Sequence, residues 1–431
     1  MMHYILTLAV LSLAIAPAAF GTDLHTTIEK HSGNRWSITY TVDSPINQLS
    51  FKRNPDDSRT RFWKPKNSAF HIVRENDMEM VRRTDGRPFS VVEFLLLPSY
   101  RHIPKEYAPF SPFSDGGIAV HSGRFFACVD KCTSDHNQWN ITLVTPDEDR
   151  IIVNGDIYNK SVSFTGSDSG AKLYIGPGET VDNGSFVALI DPGLPSSLSS
   201  QIAEQFPRLM SYFRQQLGAL EYRPALYASY SDSTDGSYGH QGGVLPGQIF
   251  MHWNGRKSLE SIDVEETRWF IAHETAHLFQ KRAAEIEDKE DSWVHEGAAE
   301  LFAGLAYQSI SEDSRLLKSK VNDAKSDCMV GFTDTPSFAD ASSQAHTLYY
   351  SCGLAIMSFI NSELVESDKI SIFELWQQFN DAVEQGRPAS AETFVNIARP
   401  YIRDDHWGKL WEFASNRDAN GLKIMQTLLA E

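Results

Sequence analysis

The stretch HETAH, His273 to His277, places two histidines four residues apart with Glu274 directly after the first. On a helix, residues at i and i+4 share a face, so both imidazoles can reach one ion. Neutral imidazole is a preferred ligand for zinc. Glu274 falls about a hundred degrees round the helix, beside the ligand face. From there a carboxylate can take a proton from water activated by a metal. The stretch SWVHEGAAE then brings Glu296, nineteen residues after His277. Two histidines and one glutamate leave a fourth zinc position open, the mark of a catalytic rather than a structural site. Glu300 stands one helical turn beyond Glu296 and can orient a ligand histidine through its second nitrogen.

These residues need a helix, a turn and a second antiparallel helix. Asp263 and Glu266 precede HETAH and read as a capping box that starts the first helix. The acidic run EIEDKEDS reads as the turn, and the second helix is expected to begin near Trp293. Further back, Ile202, Phe206, Leu209, Phe213 and Leu217 repeat at helical spacing, with Pro207 expected to kink their helix. Ile372, Trp376, Phe379 and Val383 form another such stripe, closed by Gly386. GGVLPGQIFMHW reads as a glycine-marked strand. Residues 22–190 have a different texture. WSITYTV alternates Trp36, Ile38, Tyr40 and Val42 on one face, and four more short apolar runs follow between Gly, Pro and Asp turns. That spacing suggests an antiparallel sandwich. The expected organisation is a β-rich N-terminal domain over 22–190 and a mostly helical catalytic domain with a small sheet over 191–431.

Residues 1–21 read as a secretory signal peptide cut after Ala18 or Gly21, an apolar run too short to favour a membrane anchor. A secreted or periplasmic location follows, with no stable membrane insertion once the leader is removed. Four cysteines in an exported chain permit two disulfides, and local pairing of Cys128 with Cys132 and of Cys328 with Cys352 is preferred. Sequons start at Asn140, Asn159 and Asn183. With 39 Lys and Arg against 56 Asp and Glu, the formal charge is −17. Nucleic acids and anionic membranes demand clustered positive charge, so neither is an expected partner.

The pattern H-E-x-x-H, eighteen residues, then E within W-x-x-E-G-x-A resembles the thermolysin-like gluzincins. Among them it is most similar to the alanyl aminopeptidase and glycyl aminopeptidase families, specifically over residues 238–355. The resemblance implies an α+β multidomain fold, a β-sandwich-like domain followed by a mostly α thermolysin-like zinc peptidase domain. It implies one zinc ion per chain and a peptide or protein substrate. In those families a tyrosine in Y-x-K-G steadies the oxyanion. YYSCG places Tyr350 there, with Cys352 replacing the lysine. A strand G-[AG]-M-E-N pairs with the substrate, and its glutamate holds the substrate's free amine. GGVLPG aligns Gly242 and Gly243 with its glycines and puts Leu245 in place of the glutamate. His295 replaces the usual asparagine before Glu296 and reads as a helix-surface histidine, with contact to substrate as the alternative. The expectation is an exported aminopeptidase-like zinc metallopeptidase. An endopeptidase without the amine anchor, a zinc hydrolase of non-peptide bonds and a binding protein on a retired peptidase fold stay open beside it.

Overall fold

The computed structural model describes residues 24–429 except 33–34, 104–105, 134–137, 168–169, 234, 282–285, 287 and 333–334. The expected signal peptide lies outside the described residues. The architecture is a β-rich N-terminal part followed by a mainly helical part carrying one small sheet.

In the β-rich part, six-, four- and five-stranded sheets contribute to one apolar core. The predicted alternation holds, because Trp36, Ile38, Tyr40 and Val42 on the strand Arg35–Ile46 are all buried. The six-stranded sheet is not wholly antiparallel: the strand Leu24–His31 runs parallel to Gln138–Val144. More than a hundred residues separate those two strands, so no hairpin dictates their direction.

The second sheet positions the candidate site. Its strands are β1 (Thr180–Asp182), β2 (Val187–Ile190), β3 (Ala225–Ser231), β4 (Gly239–Leu245) and β5 (Gln248–Asn254), in spatial order β1-β2-β3-β5-β4. β2, β3 and β5 are parallel, while β4 pairs antiparallel with β5. GGVLPGQIFMHW, expected as one strand, is therefore the end of β4, a Pro246–Gly247 turn and most of β5. Pro246 lacks an amide donor and Gly247 takes φ +69°, which together turn the chain. The sheet also draws β1 and β2 from before Asp191.

α1 (Ser196–Leu217) runs unbroken through Pro207 and buries all five residues of its predicted stripe. α2 (Val264–Phe279) and α3 (Trp293–Ser311) pack against each other and carry the HETAH residues and Glu296. α3 starts at the predicted Trp293. Asp263 caps α2 through the amides of Glu265 and Glu266. The expected capping box is not closed, because the Glu266 carboxylate pairs instead with Lys320 at 2.6 Å. α4 (Arg315–Gly331) and α5 (Leu348–Ser367) follow. Disulfides join Cys128 to Cys132 and Cys328 to Cys352, the second tying α4 to α5. A separate apolar cluster joins Phe113, Ile152 and Tyr174 of the β-rich part to Leu189, Tyr227 and Phe250 of the second sheet.

Candidate metal centre

Helical spacing brings the two histidines together as expected. Nε2 of His273 and Nε2 of His277 are 2.9 Å apart, and Oε2 of Glu296 lies 3.3 and 3.2 Å from them. One ligand atom from each of the three residues fits within 4.8 Å of the other two. Each ring's remaining nitrogen has its own neighbour. Nδ1 of His277 is 2.7 Å from Oε1 of Gln280, whose amide donates to the His295 carbonyl at 2.8 Å. Nδ1 of His273 lies 3.1 Å from Oε1 of Glu300, an ion-pair distance at which the N–H is not aimed along the line of a hydrogen bond. The indole of Trp269 donates to the other Glu300 oxygen at 2.6 Å. These neighbours assign the proton to Nδ1 on both rings and leave the Nε2 lone pairs facing one another and a carboxylate. Such a cluster of electron-rich atoms calls for a cation. Burial works against a charged His273, yet Glu296 and Glu300 outweigh it and hold its pKa well above the usual range, so with no metal bound a proton on Nε2 answers that call and a metal must displace it. Two imidazoles and one carboxylate are the donor set that suits zinc with an open position.

Glu274 is buried beside these groups. Burial raises its pKa, and His273 and His277 oppose the shift. Tyr350 stands in the first turn of α5 with its ring 5.8 Å from that of His273. Tyr350 is 41% exposed, and its partial desolvation, then Glu296, Glu274 and Glu300, push its pKa upward, so it stays a phenol and a donor. His295 is not a simple surface residue. Its side chain is 17% exposed and its Nε2 is 3.3 Å from Oε1 of Glu296.

β4 forms the edge of its sheet. A two-residue turn closes on a hydrogen-bonded pair, Leu245 with Gln248, and such pairs alternate with non-bonded ones. Gly243 and Gln241 therefore turn their backbone toward β5, while Val244 and Gly242 turn theirs to the open edge. The Val244 carbonyl accepts a bond from the Tyr107 hydroxyl at 3.3 Å. Gln241 binds the amide of Ala108 at 3.0 Å and the carbonyl of Glu106 at 2.9 Å. The β-rich part thus covers the edge at Val244, and Gly242 stays uncovered by these bonds. A Cβ at Gly242 would stand 2.5 Å from Met251 Sδ and 2.6 Å from the Phe270 ring. Gly243 takes φ +154°, which L side chains rarely adopt. Leu245 is buried in the apolar cluster between the two parts and is not presented to the site.

All eight residues expected at the site, His273, Glu274, His277, Glu296, Glu300, Tyr350, Gly242 and Gly243, lie on α2, α3, α5 and β4. Sequence reasoning missed Gln280, Trp269 and Tyr107. Gln280 had a signal, its place three residues after His277. Tyr107 had none, because it arrives from 137 residues before its partner Val244.

This arrangement of parts defines a class. A β-rich domain precedes a helical domain whose two packed helices bear H-E-x-x-H and a third acidic residue. Solved structures share that fold. An aminopeptidase N family protein from Idiomarina loihiensis superposes with a TM-score of 0.63 at 12% identity, covering 94% of this chain and 78% of that one. An M1 zinc metallopeptidase variant from Deinococcus radiodurans, bound to a Tyr-Ser-Ala substrate, gives 0.51 at 15% identity over 92% of this chain and 95% of that one. Yeast LTA4 hydrolase in complex with bestatin gives 0.50 at 12% identity over 95% and 68%. No protein-family model matches the chain, and no curated protein matches it. At these identities the likeness is one of fold, that of M1 aminopeptidase N-like zinc metallopeptidases.

Proposed function

We propose that the chain is an exported zinc metallopeptidase that acts on peptides from the amino terminus. The observation that carries this reading is the meeting of His273, His277 and Glu296 within 4.8 Å, with Glu274 buried beside them. His273, His277 and Glu296 would hold one zinc ion, which supplies Lewis acidity to the scissile carbonyl and acidifies water. Glu274 takes a proton from the attacking water at its carboxylate and returns it to the leaving amine. Its raised pKa suits a group that must both accept and release that proton. The Tyr350 hydroxyl donates to the carbonyl oxygen as negative charge develops there. Gly242 offers its backbone to an extended chain by strand addition.

Closure of the β4 edge at Val244 favours action near a chain end, since strand pairing cannot continue past the Tyr107 hydroxyl. Leu245 favours the second reading, an endopeptidase. It is buried and apolar, whereas a free ammonium entering a closed site calls for a carboxylate. Export is supported by the two disulfides, which persist in oxidising compartments.

The test is Glu274→Gln, assayed on matched peptides with free and acetylated amino termini alongside metal analysis. The variant should retain zinc at one equivalent and lose nearly all turnover. Full activity would remove Glu274 from the mechanism. Chelator-sensitive cleavage of free-amine peptides alone supports the aminopeptidase reading, and internal cleavage of acetylated ones supports the endopeptidase.

A further inference from the structure

The proposed mechanism needs the Tyr350 hydroxyl at one point in space. The ring of Tyr350 meets that of His273, but its hydroxyl makes no hydrogen bond among the described residues. The backbone beneath it therefore decides where that hydroxyl lies. Tyr350 stands in the first turn of α5, and Thr347 at the cap gives no side-chain bond to hold that turn. Contacts made by the neighbouring residues hold it instead.

The first contact is backbone on backbone. A Cβ on Gly353 would stand 2.6 Å from the Trp293 carbonyl oxygen and 2.7 Å from the Gly297 Cα. A Cβ on Gly297 would stand 2.3 Å from the Gly353 carbonyl carbon and 2.4 Å from its Cα. Neither glycine takes a positive φ, so close approach and not backbone shape demands them. On α3, Trp293 and Gly297 bracket Glu296, the expected metal ligand. α3 is in turn tied to α2 by the bond from the Trp269 indole to Glu300. The second contact is covalent. Cys352, two residues after Tyr350, is bonded to Cys328 of α4, and both are fully buried. At the same end of α5, the Leu348 side chain fills the place of a Cβ on Gly331, the last residue of α4.

We infer that the Gly297–Gly353 crossing, locked by the Cys328–Cys352 disulfide, sets the Tyr350 hydroxyl relative to the metal ligands. Gly297, Gly353, Cys328 and Cys352 are positioning residues that act through Tyr350 rather than on the substrate. The inference rests on the proposed reading of the site, in which Tyr350 donates to the developing oxyanion. Its physical content is a distance. Helices that meet through long side chains can adjust by changing rotamers, whereas backbone against backbone has no such slack. Carbon atoms in contact sit about 3.5–4.0 Å apart, so a methyl group on Gly353 requires α5 to retreat by on the order of 1 Å. A displacement of that size in a reacting group costs about a hundredfold in rate.

The test is a double-mutant cycle of Gly353→Ala with Tyr350→Phe. Alone, Gly353→Ala should lower kcat by about ten- to a hundredfold, and in the Tyr350→Phe background it should cost less than about twofold. General damage to the fold would slow both backgrounds alike. That result, or an unchanged kcat in Gly353→Ala, overturns the inference. A readout without turnover is the Kd of a phosphinic peptide, whose tetrahedral oxygens stand for the oxyanion. Gly353→Ala should weaken its binding only while Tyr350 keeps its hydroxyl, and equal weakening in both backgrounds again overturns the inference. If Gly353→Ala does not fold, the pair Cys328→Ser and Cys352→Ser, which adds no atom at the crossing, goes through the same cycle and decides the matter. A kcat unchanged by Tyr350→Phe alone would instead remove Tyr350 from the reaction, and the reading of the site falls together with the inference. A slow Tyr350→Phe beside an unaffected Gly353→Ala refutes the inference and leaves that reading standing.

Discussion

Glu300 touches no expected substrate atom, yet it sits between Trp269 and His273 and sets the orientation of one ligand ring. Removing it with Glu300→Ala frees that ring and should weaken zinc binding by about 10- to 100-fold, as loss of an outer partner of a metal ligand typically does. Competition with a chromophoric chelator measures the change. Tyr350→Phe tests a different property. Zinc affinity should hold while kcat falls on the order of a hundredfold, the usual result of losing one oxyanion donor. An unchanged kcat would take Tyr350 out of the reaction. At this scale much was legible in the sequence. His273, His277 and Glu296 announce themselves because helical periodicity converts spacing into shared position. Tyr107 could not be read, since nothing in its neighbourhood encodes a bond to Val244 of β4. The contact of His295 with Glu296 was not legible, since neighbours in sequence on a helix point in different directions and only the fold bends the two side chains together.

Among the elements, β4 and α2 are the pair most sensitive to small changes. Phe270 lies three residues before His273 on α2 and packs where a Cβ on Gly242 would stand. Gly242→Ala should therefore push β4 away from α2 and displace the strand edge offered to the substrate. The expected outcome is a loss of kcat/KM of at least about tenfold with zinc content unchanged, measured by steady-state kinetics and metal analysis. Wild-type kinetics would show that the edge is not used. The helices of the second half were legible because their stripes are long and strongly periodic, as on α1. The β4–β5 hairpin was read as one strand because its two-residue turn is shorter than the window in which alternation is judged. The parallel pairing of Leu24–His31 with Gln138–Val144 was invisible for a related reason, because it depends on the whole chain path between them.

Across the whole molecule, the join between the two parts contains a charged group where none is expected. Lys172 is fully buried, with Nζ 3.1 Å from the Ala108 carbonyl, 2.9 Å from Ser111 Oγ and 5.0 Å from the centre of the Phe250 ring. Burial, with Arg124 adding repulsion, pushes its pKa down to about 7. Between that value and its ordinary 10.5, the unfolded chain holds a proton that the folded chain does not. Folding stability from Lys172 should therefore rise as pH increases through this window, by an amount on the order of a few kcal/mol. Lys172→Met removes the titrating group, so its stability relative to wild type should fall steadily from pH 7 to pH 10. Urea unfolding at a series of pH values measures the difference, and a difference independent of pH would show that Lys172 does not titrate in this range.

The strands β1 and β2 have a consequence for how such a chain can be divided or inherited. Every proposed metal and catalytic residue lies after Asp191, which invites the view that the helical half is a portable unit. Yet β2 is the parallel neighbour of β3, and Val187 and Leu189 belong to the apolar seam with Phe113 and Tyr174. A chain begun at Asp191 would keep all of the proposed chemistry and open a bare sheet edge beside an uncovered apolar face, the usual recipe for aggregation. The site is local, but the smallest piece of this protein that could be exchanged as a module is larger than the site's own sequence suggests.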